Sequence, residues 1–242
     1  MKALILAGGR GKRLGRLSGH INKCMLKVRG KPLIEYSLSC ISELEQINQI
    51  IIVVGYRPED IINKYGNKYK GKNIQYVLQR RQGGLVHAIE CAKSALEKDD
   101  FMLMLGDEFM VNPHHREFMQ EFNRGEAFAL CGVVSVLDKE LIKKTYSVIE
   151  AQDKQIFRLI EKPRNPFSSI MGTGNCIFKN SILGYIPEVP INQKRKEKEL
   201  PDLIQCAIDD GNIVKSFLIC REYINVNSQE ELDKTISYFA HL

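Results

Sequence analysis

Residues 2–31 read K-A-L-I-L-A-G-G-R-G-K-R-L-G-R-L-S-G-H-I-N-K-C-M-L-K-V-R-G-K and join a short apolar run to a basic, glycine-rich loop. Residues 3–7 are continuously apolar, which predicts a buried strand of a parallel sheet. Gly8, Gly9 and Gly11 follow at once. Glycines let successive backbone amides approach phosphate oxygens, and the cationic side chains between them suit a polyanion. The simpler alternative is a tight strand-to-helix turn with solvated basic side chains.

Two common phosphate-binding loops do not fit this stretch. A Walker A loop needs a glycine, four residues and then Gly-Lys-Ser/Thr, which the chain does not contain. A dinucleotide fingerprint needs a third glycine where the chain has Leu14, and an acid after the second strand. That strand, residues 49–54, is followed by Gly-Tyr-Arg instead. Both alternatives are therefore weakened.

The stretch resembles the sugar-1-phosphate nucleotidyltransferases, also called nucleotide-sugar pyrophosphorylases. Their motif is a strand ending in L-A-G-G-x-G-T-R-L, followed by P-K-x-L-L-P-V-x-G-K-P. Residues 6–14 match the first part with Lys12 in place of Thr, and residues 22–32 match the second with Asn22 and Lys27 in place of the two prolines. The pattern is most similar to the glucose-1-phosphate thymidylyltransferase and uridylyltransferase type, and later motifs extend the resemblance over nearly the whole chain.

Length and composition set the class of protein. A chain of 242 residues with 44% hydrophobic residues can bury a sizeable core, which predicts one large α/β domain. The net charge of +6 fits small anionic substrates. The basic residues are dispersed without interleaved aromatics, so no nucleic-acid partner is expected. The one dense charged run, residues 194–198, indicates a solvated loop.

Cysteine usage and hydropathy point to a cytoplasmic protein without a membrane partner. The seven cysteines include no C-x-x-C pair and no zinc-like pairing with the five histidines, which favours a reducing compartment. No signal-peptide pattern is present, and no apolar segment approaches membrane-spanning length.

Alternating strands and helices predict the fold. Apolar runs at 49–54, 74–78 and 101–105 are separated by helical patterns, which predicts a doubly wound, mostly parallel sheet with helices on both faces. The resemblance implies a Rossmann-like nucleotidyltransferase fold. Residues 146–150 and 155–160 flank a turn and predict an inserted sugar-binding β-hairpin. We expect a single domain, 1–242, with a nucleotide-binding half at about 1–136 and a sugar-binding half at about 137–242.

The resemblance implies a nucleotide site at the carboxyl ends of the strands. Its residues are Leu6, Ala7, Gly8, Gly9, Gly11, Lys12, Arg13, Gln79, Gly84 and Asp107. Gln79 stands five residues before a Gly-Leu that begins a helix, where relatives read a pyrimidine with a glutamine. An amide offers both a donor and an acceptor, as the imide edge of uracil or thymine requires. A polar loop that caps the following helix is the alternative.

The resemblance also implies a magnesium-dependent mechanism. Asp107 follows a buried strand and a glycine, and matches the family's metal aspartate. Magnesium takes one or two protein carboxylates besides substrate phosphates and water. We expect Asn227 to be the second ligand, although Asn225 matches the ligand of the thymidylyltransferases. Arg13 would stabilise the departing pyrophosphate and Lys23 the α-phosphate, so these two residues and Asp107 are the predicted catalytic residues.

A second set of motifs implies a sugar-phosphate site. Glu161 and Lys162 belong to an E-K-P motif, Gly174 to the strand that floors the sugar pocket, and Glu199 to an E-x-x-D element. In relatives an aromatic residue often follows the glycine, whereas this chain has Asn175. The identity of the sugar therefore stays open.

The predicted function is transfer of a nucleotidyl group from a pyrimidine triphosphate, UTP or dTTP, to a sugar 1-phosphate, with release of pyrophosphate. The expected partners are thus a nucleoside triphosphate and a sugar 1-phosphate, and a homo-oligomer is compatible with the sequence. One alternative is a cytidylyltransferase or other nucleotidyltransferase acting on phosphocholine or another phosphorylated alcohol. The other is a non-catalytic regulator that binds nucleotide sugars. Retention of Arg13, Lys23 and Asp107 argues against a regulator, because a binding module needs no metal carboxylate.

Overall fold

The structure is a computed structural model, and it describes residues 1–11, 13–15 and 19–238. Lys12, one of the predicted nucleotide-binding residues, lies outside the described residues. Among the described helices, none has both the length and the apolar composition needed to cross a bilayer.

The strands alternate with helices through most of the described chain. The strands are β1 (Lys2–Ala7), β2 (Lys27–Val28), β3 (Lys31–Pro32), β4 (Gln49–Val54), β5 (Lys68–Tyr69), β6 (Lys72–Leu78), β7 (Phe101–Leu105), β8 (Glu108–Val111), β9 (Ala129–Ser135), β10 (Tyr146–Glu150), β11 (Ile156–Glu161), β12 (Ile170–Phe178), β13 (Ile191–Asn192), β14 (Glu197–Lys198), β15 (Val214–Leu218) and β16 (Glu222–Asn225). The α-helices are α1 (Leu33–Ser42), α2 (Pro58–Tyr65), α3 (Gly84–Cys91), α4 (Lys93–Leu96), α5 (His115–Asn123), α6 (Leu200–Asp209) and α7 (Gln229–Tyr238). Short 3-10 helices span Lys23–Met25, Lys139–Lys144 and Asn180–Glu188.

A large mixed sheet organises these elements around β1. Its order is β11-β10-β12-β7-β1-β4-β6-β5, and β9 pairs with both β12 and β15. The central strands β7, β1, β4 and β6 are parallel to their neighbours in this group. Strand β12 enters antiparallel to β7, and the hairpin β10-β11 continues the sheet beyond it. The predicted doubly wound α/β sheet and the predicted hairpin are confirmed, and the hairpin forms one margin of the main sheet.

The core lies on both faces of the sheet because β1 buries side chains in two directions. Leu4 and Leu6 pack in one apolar cluster with residues of α3 and α6. Ala3, Ile5 and Ala7 pack in the other cluster with residues of α1 and α5. Alternate side chains of a strand point to opposite faces, so a strand covered on both sides is continuously apolar. This explains the unbroken apolar run at the start of the sequence.

The topology brings distant segments to one edge of the sheet. Strands β1, β4 and β7 are parallel, so the loops after them lie at the same edge. Strand β8 continues the chain after β7 and pairs antiparallel with β16, which sets Asn225 opposite Glu108. The Val226 amide also donates to the Asp107 carbonyl at 3.0 Å. The end of the last strand therefore lies beside the predicted metal aspartate.

Candidate functional site

A cavity of about 380 Å³ opens at this edge of the sheet. It is lined by most of the predicted site residues: Leu6, Gly8, Gly9, Gly11, Arg13, Lys23, Gln79, Gly84, Asp107, Glu161, Lys162, Gly174, Glu199, Asn225 and Asn227. Ala7 is buried at the end of β1 and does not belong to the described lining. The structure thus brings residues of the two predicted halves to one cavity.

Lys23 lies at the centre of a polar cluster in the wall of the cavity. Its side chain is buried, and its ammonium group pairs with the Asp107 carboxylate and donates to Asn227 Oδ1 at 2.8 Å. The Asn227 amide donates in turn to Asn225 Oδ1 at 2.7 Å. Residues that are 204 positions apart in sequence therefore form one polar cluster.

Asn22 fixes the turn that carries Lys23. Its side-chain oxygen accepts from the Cys24 amide at 2.9 Å and so caps the 3-10 helix Lys23–Met25. Its side-chain nitrogen donates to the carbonyls of Ala7 at 3.1 Å and Tyr56 at 2.7 Å. Asn22 is fully buried, and these hydrogen bonds satisfy its amide. The turn is thereby fastened to the ends of β1 and β4, and Lys23 is aimed at Asp107.

The same cluster has the donor set of a magnesium site. Asp107 and Asn227 both direct oxygens at one cation, the Lys23 ammonium, which marks a position where positive charge is favoured. No group of three or more His, Cys, Asp or Glu side chains suited to a metal occurs in the described part of the chain. Magnesium does not need such a group, because it keeps several waters and takes oxygens from substrate phosphates. The residues present therefore fit magnesium better than they fit a metal ion whose ligands all come from protein side chains.

Gln79 is buried beside the glycine loop. Its amide nitrogen donates to the Gly84 carbonyl at 3.1 Å and lies 3.0 Å from His87 Nδ1. Its oxygen lies against Gly8, where a Cβ would come within 2.7 Å of it. A side chain at this position would therefore displace the Gln79 amide from its place against the loop. The predicted base-reading residue is thus held directly against the predicted phosphate loop.

Charged side chains from three segments form a second cluster in the wall of the same cavity. Glu161 Oε1 accepts from Lys162 at 2.7 Å and from Arg195 at 3.1 Å. Arg195 also donates to Glu199 Oε2 at 3.2 Å. Glu199 Oε1 is buried and has no hydrogen-bond partner in the described part of the chain, although Arg195 is 3.0 Å away. Burial and the nearby Glu161 carboxylate raise the pKa of Glu199. The arrangement offers an acceptor to a ligand that carries hydroxyl groups.

The chain matches the family model described as nucleotidyl transferase over residues 2–222. It belongs to this family. The predicted family and the predicted class of enzyme, a nucleotidyltransferase, are therefore confirmed.

Two similar proteins are named for the transfer of a nucleotide to glucose 1-phosphate. The chain is 33% identical over 239 residues to a UTP–glucose-1-phosphate uridylyltransferase of Haloferax volcanii, covering 97% of this chain and 94% of that one. It is 30% identical over 241 residues to a glucose-1-phosphate thymidylyltransferase of Streptomyces griseus, covering 98% of this chain and 66% of the relative. The names agree with the main function predicted from the sequence.

Solved structures show the same fold. A crystal structure described as a glucose-1-phosphate thymidylyltransferase from Bacillus anthracis superposes with a TM-score of 0.88 at 24% identity, covering 100% of this chain and 96% of that one. A UDP-glucose pyrophosphorylase complexed with UDP-glucose superposes with a TM-score of 0.87 at 18% identity, covering 99% and 98%. These likenesses confirm the predicted nucleotidyltransferase fold.

The structure corrects the interpretation of residues 194–198 as a solvated loop. The run belongs to a small antiparallel hairpin, β13-β14, and Arg195 reaches from it into the cavity. Glu197 packs against Gly84, where a Cβ would come 3.0 Å from the glutamate. Residues 194–196 are exposed in the turn of this hairpin, and no local sequence pattern shows that Arg195 and Glu197 line the cavity. Their acidic and basic partners lie in other segments, and only the fold brings them together.

A buried polar network includes two positions that depart from the family pattern, Glu108 and Asn175, and Glu108 itself lines the cavity. The Glu108 carboxylate accepts from the Gly174 amide at 2.9 Å, from Asn175 Nδ2 at 2.7 Å and from the Tyr223 hydroxyl. Asn175 Oδ1 lies 2.9 Å from His115 Nε2. Burial raises the pKa of Glu108 to about 8, against the opposing effect of the Tyr223 hydrogen bond. Glu108 thereby joins the floor strand at Gly174 to the last strand.

Proposed function

We propose that this chain transfers a nucleotidyl group from a pyrimidine nucleoside triphosphate, UTP or dTTP, to a sugar 1-phosphate. The products would be a nucleoside diphosphate sugar and pyrophosphate. The observation that carries the proposal is that one cavity is lined both by the Lys23, Asp107 and Asn227 cluster and by Glu161, Lys162 and their partners. The names of the similar proteins support the same substrates.

The reaction requires alignment and charge neutralisation more than covalent chemistry. A sugar-phosphate oxygen would attack the α-phosphorus in line, and pyrophosphate would leave. Lys23 would stabilise the charge that builds on the α-phosphate, and Arg13, on the loop after β1, would stabilise the leaving group. No side chain need act as a general base, because the phosphate monoester is already an anionic nucleophile.

Magnesium would be held by Asp107 and Asn227, with Asn225 as the alternative amide ligand. When bound, it would neutralise phosphate charge in the transition state. Lys23 contacts both Asp107 and Asn227. It would therefore orient their oxygens and would itself be oriented by them.

The acceptor would lie at the end of the cavity that contains Glu161 and Glu199. Glu199 Oε1 is ion-paired with Arg195 but accepts no hydrogen bond within the described residues, so it would accept one from a sugar hydroxyl. Lys162 would face the phosphate of the sugar. Arg195 holds both carboxylates and would keep them from repelling each other.

The direct test is a pyrophosphate-release assay with a panel of triphosphates and phosphorylated acceptors, with and without a magnesium chelator. We expect release with UTP or dTTP plus a sugar 1-phosphate, and loss of release on chelation. Release with CTP and phosphocholine alone would favour the cytidylyltransferase alternative. Saturable binding of nucleotide sugars without release from any pair would favour a regulator.

We expect Gln79→Ala to raise the KM for UTP or dTTP. The ratio of kcat/KM for these pyrimidine triphosphates to kcat/KM for ATP or GTP should fall by about tenfold or more. A site built to pair with a base edge loses discrimination when the pairing group is removed. The measurement is kcat/KM for each triphosphate at a fixed acceptor concentration. Gln75→Ala is the matched control, because Gln75 is exposed on β6, the strand that leads into Gln79. Equal preference in Gln79→Ala and Gln75→Ala would remove Gln79 from base recognition.

We expect Arg195→Ala to raise the KM for the sugar 1-phosphate about tenfold with little change in the KM for the triphosphate. Without Arg195, the Glu161 and Glu199 carboxylates lose their shared cation and repel each other. Initial rates at varied acceptor concentration measure the effect. Lys194→Ala removes an exposed cation from the same hairpin and should leave both constants unchanged. An unchanged acceptor KM in Arg195→Ala would contradict the assigned role.

A further inference from the structure

The orientation of the Gln79 amide is set by its surroundings. The Gly84 carbonyl can only accept a hydrogen bond, so the group 3.1 Å from it must be the amide nitrogen of Gln79. The same nitrogen lies 3.0 Å from His87 Nδ1. The two hydrogens of this nitrogen therefore have two protein acceptors, one on Gly84 and one on His87.

This contact fixes the tautomer of His87. The Gln79 nitrogen is a donor, so we assign a lone pair to His87 Nδ1 and the proton to Nε2. The Nε2 atom faces the Cys91 sulfur at 3.8 Å, where a weak acceptor is available. The ring lies close to Gly83, where a Cβ would come 3.0 Å from the ring carbon Cγ. His87 is thus a positioned acceptor for the Gln79 amide.

We propose that His87 is a specificity-determining residue: it holds the Gln79 amide so that only the oxygen faces the base. The proposal rests on the proposed function and concerns the nucleotide end of the same cavity. It changes how the glutamine reads the base. The free amide offers a donor and an acceptor, whereas the held amide offers an acceptor alone.

A lone acceptor distinguishes the two pyrimidine classes. Uracil and thymine carry a hydrogen on ring nitrogen N3, which can donate to the Gln79 oxygen. Cytosine carries a lone pair on N3, so an acceptor opposite N3 would face another acceptor. To donate its 4-amino group to the same oxygen, cytosine would have to shift away from the position that uracil takes. An unpaired polar group in a buried site lowers kcat/KM for the wrong base. The site therefore discriminates against that base by the cost of the lost hydrogen bond. The side chain cannot adapt by rotating its amide, because the nitrogen would then leave both of its acceptors and the oxygen would face them instead.

The test compares UTP with CTP in His87→Leu and His87→Asn. In the wild type we expect kcat/KM for UTP to exceed that for CTP at least about a hundredfold. In His87→Leu the Gly84 carbonyl alone holds the amide, which therefore rotates more readily than in the wild type. The value of kcat/KM should fall with UTP and rise with CTP, and the ratio should fall at least about tenfold. In His87→Asn the side-chain oxygen can take the place of Nδ1, so the ratio should stay within about threefold of the wild type.

Cys91→Ala is the matched control, because it changes the contact on the other side of the ring and leaves Nδ1 facing Gln79. A general loss of structure would lower kcat/KM for both triphosphates and would not raise it for CTP. The proposal is overturned by a His87→Leu ratio equal to that of the wild type, or by a wild type without preference for UTP.

Equilibrium dissociation constants for UTP and CTP, measured on the same proteins, separate this proposal from the proposed function. If the wild type prefers UTP in binding but releases no pyrophosphate, the proposed function fails, and the ratio of dissociation constants in His87→Leu still decides the role of His87. If pyrophosphate is released but the ratio does not respond to His87→Leu, the proposed function stands and the role of His87 is wrong.

Discussion

Replacing Lys23 with alanine is expected to lower kcat at least about a hundredfold, the effect of removing one preorganised contact to transition-state charge. Lys23 is buried, and its ammonium group contacts both Asp107 and Asn227. The substitution therefore removes a cation from the predicted position of the α-phosphate and releases the residues that would hold magnesium. Initial rates of pyrophosphate release at saturating substrates measure the effect.

Two further variants separate the effect of losing the Lys23 charge from the effect of destabilising the fold. Lys23→Met keeps the aliphatic volume without the charge and should be as inactive as Lys23→Ala, with a free energy of unfolding nearer to the wild type. Lys27→Ala removes an exposed lysine four positions away and should leave kcat unchanged. A folded Lys23→Met enzyme with normal turnover would contradict the role given to Lys23.

The second large effect is expected at Asp107. Asp107→Asn should lower kcat at least about a hundredfold and raise the magnesium concentration needed for half-maximal rate, because a neutral amide oxygen binds magnesium less strongly than a carboxylate. Asn227→Ala should raise the magnesium requirement less, and Asn227→Asp should retain function. The measurement is a magnesium titration of the initial rate at a fixed triphosphate concentration.

Asn225 provides the internal comparison for this titration. Asn225 and Asn227 both line the cavity and are hydrogen-bonded to each other. The Asn227 oxygen already faces a cation, the Lys23 ammonium, and for that reason we propose Asn227 as the ligand. A raised magnesium requirement in Asn225→Ala but not in Asn227→Ala would reverse the assignment.

Local sequence patterns were sufficient to predict the bounds of two central strands. The predicted bounds at 49–54 and 101–105 agree with β4 and β7, because each is an apolar run that ends at a glycine. Such runs are long enough to be buried and short enough to be strands. The carboxyl-end rule for parallel strands then placed the glycine loop and Asp107 at one edge, where the cavity lies.

The polar contacts between residues that are far apart in sequence could not be predicted from local patterns. Arg195 stands in a run of charges that is typical of solvated loops, and its partner Glu161 is 34 positions away. Glu108 and Asn175 are 67 positions apart, and nothing near either residue in the sequence indicates that they are hydrogen-bonded to each other. They come together because β8 and β12 meet in the fold. The antiparallel entry of β12 beside β7 produces this meeting. Sequence spacing carries no information on such pairs without the sheet order.

Gln79 shows how a correct placement can leave the chemistry incomplete. The glutamine lines the cavity beside the glycine loop, as the resemblance implied. The sequence interpretation gave its amide a donor and an acceptor for the base. The fold places Gly84 and His87 within hydrogen-bond distance of the amide nitrogen and so occupies the donor. Which atom of a side chain faces a ligand depends on these neighbours.

The most direct test of the proposed function is a phosphorus NMR spectrum of the wild-type protein incubated with UTP, glucose 1-phosphate and magnesium. We predict equal amounts of pyrophosphate and of a product whose two phosphorus resonances are coupled, as in a nucleoside diphosphate sugar. Neither should form when magnesium is chelated. Persistence of the glucose 1-phosphate resonance while UTP is unchanged, or hydrolysed to UMP and pyrophosphate, would contradict nucleotidyl transfer from UTP to glucose 1-phosphate.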